Sequence, residues 1–122
     1  MKIKIISGNT SAVAELKNTS TAEAIYNSLP MEGAANKWGE EIYFVITVNL
    51  DAEPDAKEVV EQGDIAYWPE GSCFCIFFGK TPASKGNEIR AASKVNVFGK
   101  VKGDAKIFSK VKNGDLVILE KS

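Results

Sequence analysis

The sequence predicts a mainly β protein with one domain, residues 1–122, in which an antiparallel sheet forms a closed or nearly closed barrel with two short helices. Three observations predict this class. Short runs of alternating apolar and polar residues recur along the chain, as in half-buried strands, and turn-forming residues separate them. Only two segments have the apolar spacing of a helix. A chain of 122 residues, 44% of them hydrophobic, fits one globular domain.

The N-terminal segment is predicted to form a hairpin followed by a helix. Lys and Ile alternate over residues 1–7, SGNT makes a turn, and AVAEL (12–16) returns as the partner strand. In STAEAIYNSLP, Ser20 and Glu23 have the spacing of a capping box, and Pro30 ends the helix. The apolar stripe of this helix, which we expect to face the core, consists of Ala22, Ile25 and Leu29.

The segment EEIYFVITV (40–48) is the clearest strand in the sequence. Because side chains alternate across a strand, one face carries Ile42, Phe44 and Ile46. The other face carries Glu41, Tyr43 and Val45. The acidic segment that follows, NLDAEPDAKEVVEQGD, is predicted to be a long connection with one helical turn around Lys57–Glu61.

The second half of the chain is predicted to hold the remaining strands and the second helix. DIAYW (64–68) is a strand, WPEG is a four-residue turn with Pro at its second position, and SCFCIFF (72–78) runs back. After the loop TPASKGNE, KVNVFGKV (94–101) is another strand. DAKIFSKV fits a short helix capped by Asp104, and DLVILE (115–120) is the last strand.

The net charge of −1 gives no reason to expect nucleic acid or an anionic membrane surface as a partner. The charge is nevertheless uneven, because residues 1–79 carry five Lys and twelve acids, whereas residues 80–122 carry nine Lys, Arg90 and four acids. Lysines in the basic part are interleaved with apolar residues, which favours a solvated face over a patch for an anionic partner. The sequence shows neither a signal peptide nor a membrane span, so we predict a cytoplasmic protein.

The two cysteines are the first candidates for chemistry. Cys73 and Cys75 stand two positions apart in a predicted strand and therefore point to the same face. Zinc takes three or four protein ligands, and the chain has no histidine and no third cysteine. We therefore predict no metal, no other cofactor, and free thiols that pack as small apolar side chains. A reactive thiol is the minor alternative, because no local cation would lower its pKa.

Carboxylates are candidates for acid–base chemistry, because histidine is absent. Glu40 and Glu41, beside Trp38 and Tyr43, form the only local cluster of this kind. The favoured interpretation of this cluster is a pair of solvated charges at the start of a strand. The sequence assigns no catalytic residue.

Several motifs, in the order in which they occur, resemble those of cyclophilins. VFGKVKG (97–103) is similar to the strand and turn near the end of cyclophilins, and GSCFCI (71–76) is similar to their Gly-Ser-Gln-Phe-Phe-Ile segment. Glu15-Leu16 followed by Thr21-Ala22-Glu23 resembles their first strand and helix. The combination of NKWGEEIYF, GDIAYWPEGS, FFGKTP and VNVFGKV most closely resembles a short prokaryotic cyclophilin-like family of unassigned function. The resemblance covers the chain in outline and implies a closed eight-stranded antiparallel barrel with a binding groove on its outer wall.

The resemblance also implies where the groove residues of the prolyl isomerases would fall. Their glutamine corresponds to Cys73 and a floor phenylalanine to Cys75, while the rim tryptophan falls at about Arg90 and the histidine at Val95. Tyr67 stands near a position where the family keeps a small residue. The catalytic arginine belongs between the first helix and the next strong strand, where this chain has no arginine. The match therefore fails at the positions that carry isomerase chemistry.

The same resemblance, with strand alternation, implies that the strand SCFCIFF (72–78) has two different faces. The face expected to fill the barrel carries Phe74, Ile76 and Phe78, and Phe98 is expected to be buried with them. The face expected to form the groove floor, beside Glu41 and Tyr43, carries Cys73, Cys75 and Phe77.

Two functions are compatible with these observations. The first is a binding module without efficient isomerase activity, whose outer-wall pocket holds a small molecule or a proline-containing peptide. The residues predicted to line that pocket are Trp38, Glu41, Tyr43, Tyr67, Cys73 and Cys75. The second is an atypical peptidyl-prolyl cis/trans isomerase, in which Arg90 would act as the donor if its loop folds over the groove. A weaker third alternative is an accessory subunit that docks by its basic end.

Overall fold

Ten strands make up most of the ordered backbone in the computed structural model, which describes residues 1–122. The strands are β1 (Lys2–Ser7), β2 (Thr10–Leu16), β3 (Met31–Ala34), β4 (Asn36–Lys37), β5 (Glu41–Val45), β6 (Lys57–Val60), β7 (Asp64–Trp68), β8 (Cys73–Phe77), β9 (Ile89–Val101) and β10 (Leu116–Lys121). Helix α1 (Ser20–Asn27) follows β2, and a 3₁₀ helix (Ala105–Lys110) precedes β10. The prediction of a mainly β protein with two short helices is confirmed.

The strands form one antiparallel sheet that is not closed by hydrogen bonds. Their order is β3-β10-β1-β2-β9-β7-β8-β5-β4, and β6 pairs with β9 beside this path. The two end strands, β3 and β4, are separated in the chain only by Ala35, whose N–H donates to the carbonyl of Asp115 at 2.8 Å. Strand β3 pairs with β10, whereas β4 pairs with β5. No backbone hydrogen bonds therefore join β3 to β4, the two end strands of the sheet. The closed eight-stranded barrel is therefore not confirmed.

Side-chain packing, rather than hydrogen bonding, brings the end strand β3 against β5. A Cβ atom on Gly33 in β3 would lie 2.7 Å from Cδ2 of Phe44 in β5. Phe44 is buried and its ring stacks on Phe74 at a centroid distance of 5.3 Å. The absence of a side chain at Gly33 is thus required for the close approach of the two strands.

The two helices begin at caps, one of which differs from the prediction. Thr19, and not Ser20, caps α1, because the Thr19 hydroxyl accepts the N–H of Ala22 at 3.1 Å. The hydroxyl of Ser20 instead donates to Glu53 at 3.3 Å, so the predicted Ser20–Glu23 capping box is wrong. Asp104 caps the second helix as predicted, since its carboxylate accepts the N–H of Lys106 at 2.9 Å.

The predicted helical turn around Lys57–Glu61 is wrong, because Lys57–Val60 form strand β6. This strand pairs with the first half of β9, with Lys57 opposite Val95 and Val60 opposite Ile89. The pairing also lengthens β9, which begins at Ile89 instead of at the predicted residue 94. A short segment such as KEVV can suit either conformation, and pairing with a distant strand decides between them.

Two polar side chains inside the sheet hold the long connection between β5 and β6. The Tyr67 hydroxyl donates to the carbonyl of Val48 at 2.7 Å and accepts the N–H of Leu50 at 3.1 Å. The Asn96 side chain accepts the N–H of Glu53 at 2.8 Å. These bonds satisfy backbone groups that would otherwise lack partners at the edge of the core.

The sheet buries apolar side chains on both faces. The inner core includes Phe74, Ile76, Phe78 and Phe98, as predicted. A second, smaller cluster lies on the outer face and consists of Val60, Ala66, Cys73, Cys75, Phe77, Ala91 and Val95. The division of the two faces of β8 between these clusters confirms the predicted alternation.

We expect Gly33→Ala to destabilise the protein by about 1–3 kcal/mol, the usual cost of forcing extra volume into a packed core. The free energy of unfolding in urea measures this cost. The matched background is Phe44→Leu, which removes the ring that the new methyl group would meet. In that background the cost of Gly33→Ala should fall by about 1 kcal/mol or more. An equal cost in both backgrounds would contradict the proposed contact between β3 and β5.

Candidate functional site

A cavity of about 290 Å³ lies on the outer face of the sheet. It is formed by side chains from the β4–β5 hairpin, from β5, from β7 and from β9. The residues that line it are Trp38, Glu41, Tyr43, Trp68, Ala91, Ala92 and Val95. Three of the seven are aromatic, and only one carries a charge, so the lining is mostly apolar.

A tight hairpin places Trp38 and Glu41 side by side. The N–H of each residue donates to the carbonyl of the other, at 3.0 and 3.2 Å. Only two residues separate them, and the first of these, Gly39, has a φ of +62°. This conformation suits glycine, and a Cβ atom at Gly39 would also lie 2.9 Å from the carbonyl oxygen of Lys80. The sequence WGEE therefore fixes the geometry of one end of the cavity.

Hydrogen bonds and packing fix the ring of Trp68. Its indole N–H donates to the Ser93 hydroxyl at 2.6 Å, and that hydroxyl in turn donates to the carboxylate of Glu70. The ring meets Tyr43 edge to face, with the centroids 6.4 Å apart and the planes at 79°. A Cβ atom on Gly71 would lie 2.5 Å from the Trp68 ring, so the glycine of the WPEG turn leaves room for the indole.

Strand β9 supplies the opposite wall because it changes partners along its length. From Asn96 onward it pairs with β7, whereas residues 89–95 pair with β6. The first half of β9 therefore leaves the main sheet and covers its outer face. Its cavity-lining side chains are Ala91, Ala92 and Val95, which are small and leave the space beside the aromatic rings unfilled.

Glu41 is the only charged residue in the cavity lining, and it is 5% exposed. No Lys or Arg forms an ion pair with it. Burial raises the pKa of its carboxyl to about 7, and a hydrogen bond from the Cys75 thiol opposes this only in part. The interpretation of Glu41 as a solvated charge at the start of a strand is therefore wrong. Its neighbour Glu40 does face solvent and pairs with Lys106 at 2.8 Å.

The two cysteines lie beneath the cavity instead of lining it. Cys73 and Cys75 are free and buried, with 2% and 1% of their surface exposed. Burial raises the pKa of both thiols, and the negative charge of Glu41 raises it further. Thiols of this kind carry little thiolate at neutral pH and are poor nucleophiles.

Two further residues predicted for the pocket lie elsewhere. Tyr67 points into the inner core and is completely buried. Arg90 stands next to the cavity wall in sequence but does not line the cavity. Its guanidinium donates to Glu88 at 2.6 Å and to Glu58 at 3.1 Å. Both ion pairs compete with any role of Arg90 as a donor to a ligand.

The cavity lining contains four residues that are not among those predicted to line the pocket. Alternation along DIAYW would have identified Trp68, because Trp68 pairs directly with Cys73 and therefore shares its face. The resemblance identifies Val95 only as the position of the histidine in the isomerases. Nothing in the local sequence distinguished Ala91 and Ala92, since their role depends on the bend of β9.

The structure contains no group of three or more His, Cys, Asp or Glu side chains arranged to hold a metal ion. None of its helices has the length and apolar composition needed to cross a membrane.

We expect the buried Glu41 carboxyl to make stability depend on pH. A carboxyl whose pKa is raised on folding destabilises the folded state once it ionises, so stability is complete below about pH 4.5 and is lost as the pH rises through about 7. The loss amounts to about 3 kcal/mol, since one pKa unit corresponds to about 1.4 kcal/mol.

Glu41→Gln should remove this dependence, because an amide does not ionise. Urea unfolding at pH 5 and pH 8 measures the effect, and Glu40→Gln is the matched control at an exposed carboxyl. If the free energy of unfolding changed with pH to the same extent in wild type and Glu41→Gln, the ionisation of Glu41 would not destabilise the fold, and the prediction would be wrong.

Comparisons with known proteins agree with this architecture. The family described as Cyclophilin-like matches residues 1–120. The solution structure of a hypothetical protein from Archaeoglobus fulgidus is 38% identical in sequence, with a TM-score of 0.84, and the match covers 100% of this chain and 95% of that one. No curated protein matches the chain. The protein thus belongs to the cyclophilin-like family.

Proposed function

We propose that the protein is a binding module that holds a small molecule in the cavity on its outer wall. The observation that carries this proposal is the unpaired, buried Glu41 carboxyl in an otherwise apolar lining. A few polar groups among apolar and aromatic walls are typical of small-molecule sites, and about 290 Å³ is near the lower end of their usual volume of roughly 300–1,000 Å³. The free thiols at Cys73 and Cys75 suit the cytoplasm, which we propose as its compartment.

The rigid walls support a preformed site. Trp68 is held by Ser93 and Glu70, and the hairpin hydrogen bonds hold Trp38 beside Glu41. Ordering such side chains on binding would cost free energy, which a preorganised site avoids. The cavity therefore has the features of a site that accepts a ligand without rearrangement.

We further propose that the protein lacks efficient prolyl isomerase activity. The isomerases that the chain resembles use an arginine to polarise the substrate amide, whereas no arginine lines this cavity. Arg90 is held by Glu88 and Glu58, and the one charged group present, Glu41, has the opposite sign. Losing a preorganised donor of this kind typically removes about 3–4 kcal/mol of transition-state stabilisation, a hundredfold or more in rate.

The isomerase proposal is tested with a standard proline-peptide assay on the wild type and on Arg90→Ala. We expect rates near the uncatalysed background for both proteins. A substantial wild-type rate that collapses in Arg90→Ala would assign the function to Arg90. A substantial rate that survives in Arg90→Ala would equally contradict the proposal and place the donor elsewhere.

The binding proposal is tested by tryptophan fluorescence with a panel of small fragments, both neutral and charged. Trp38 and Trp68 are the only tryptophans in the chain and both line the cavity, so an occupant should change the emission. Ala91→Leu should abolish this response, because its larger side chain enters the cavity without removing any contact.

The matched control for Ala91→Leu is Ala52→Leu, at an exposed position in the connection between β5 and β6. We expect this control to respond to fragments as the wild type does. A panel in which no fragment changes the wild-type emission, or in which Ala91→Leu responds fully, would contradict the proposed site.

A further inference from the structure

Three aromatic rings and one carboxyl group meet in the cavity without a cation from the protein itself. The Glu41 carboxyl takes part in none of the ion pairs of the structure. The two contacts between a lysine and an aromatic ring involve Phe78 and Tyr26, which lie outside the cavity. The faces of Trp38, Tyr43 and Trp68 are therefore free of any cationic partner within the chain.

Such a combination is suited to a cation whose surface is apolar. The face of an aromatic ring carries partial negative charge and attracts a cation within about 6 Å of its centre, most strongly for tryptophan. A primary ammonium or a guanidinium needs several hydrogen-bond acceptors, and the Glu41 carboxyl is the only charged acceptor in the lining. A quaternary ammonium carries its charge on methyl groups, needs no acceptor, and packs well against Ala91 and Val95.

We propose that the cavity binds a small alkylated ammonium ion, with its methyl groups against Trp38, Tyr43 and Trp68 and its charge balanced by the Glu41 carboxylate. This inference rests on the proposed binding function and specifies the chemical class of the ligand. The ligand is a free small molecule whose alkylammonium head group fits a cavity of about 290 Å³.

The surroundings of Glu41 make it the source of negative charge in the site. From β8 it faces the thiols of Cys73 and Cys75, whose pKa values are raised, and its own strand adds Tyr43. From β9 the nearest charged group in sequence is Arg90, which is bound to carboxylates outside the cavity. In the hairpin, Lys37 donates to the carbonyl of Ser109 at 3.0 Å. A bound cation favours the ionised carboxyl, so affinity should rise as the pH increases through about 7.

The test compares choline with its neutral isostere 3,3-dimethylbutan-1-ol by isothermal titration calorimetry at pH 8. We expect choline to bind the wild type at least tenfold more tightly than the alcohol. Glu41→Gln should weaken choline binding at least tenfold and leave binding of the alcohol unchanged, whereas Glu40→Gln should change neither. Wild type at pH 5.5 should behave like Glu41→Gln.

A second variant, Trp38→Leu, separates the contribution of the aromatic wall to binding from the contribution of the Glu41 charge. Because leucine is still a large apolar side chain, we expect the affinity for choline to fall severalfold and the affinity for the alcohol to fall less. Thermal unfolding of each variant verifies that it is folded. Equal affinity for choline and the alcohol, or choline binding that survives Glu41→Gln, would overturn the inference. Either result would leave the proposed binding function in place.

Failure of choline to bind at all would also overturn the inference. In that case the fragment panel decides the broader proposal. Fragments that still alter the emission of Trp38 and Trp68 would retain the cavity as a binding site for another class of ligand. A panel without any response would end both proposals together.

Discussion

The burial of strand β8 on both faces is the constraint on which the outer wall depends. All five residues of Cys73–Phe77 are buried, although a strand in an antiparallel sheet usually exposes one face to solvent. The inner face is covered by the main core, so the outer face needs a second layer. The strand pair formed by β6 and the first half of β9 provides that layer. Because this cover contributes small side chains such as Ala91 and Val95, it buries the cysteines but leaves a cavity beside the rings.

A single strand, β9, couples this cover to the rest of the sheet. Its second half pairs with β7 and β2, and its first half pairs with β6. The change of partner occurs at Asn96, which is 1% exposed and holds the connection between β5 and β6 through the N–H of Glu53 and the carbonyl of Asp51. The cavity wall formed by β9 is therefore tied to the hydrogen bonds that Asn96 makes with the connection between β5 and β6.

Strand alternation explains both what the sequence could predict and where the prediction failed. In CFCI (73–76), small cysteines alternate with larger apolar residues, and the assignment of Phe74 and Cys75 to opposite faces is confirmed. In DIAYW both aromatic residues suit either environment, so residue type did not show that Tyr67 belongs to the core and Trp68 to the cavity, and only the alternation of side chains along the strand separates them. Strand β6 and the position of Ala91 in the cavity lining depend on pairing between distant segments, for which a single sequence carries no local signal. The burial of Glu41 likewise depends on β9, which covers a residue that a local pattern assigns to solvent.

The cost of Glu41 is the strongest physical argument that the cavity has a function. Whole domains are stable by about 5–15 kcal/mol, and an ionised carboxyl whose pKa is raised to about 7 consumes a substantial part of that. A neutral residue of similar size would fill the position without this cost. Carboxyl groups with strongly shifted pKa values in a cleft are typical of functional sites. Residues that lower the stability of the fold tend to occur where function requires them. In the isomerases that the chain resembles, an arginine occupies the outer wall, whereas the only charge lining this cavity is a carboxyl. Under the proposed binding function, a carboxyl on the outer wall in place of an arginine would select a different class of ligand.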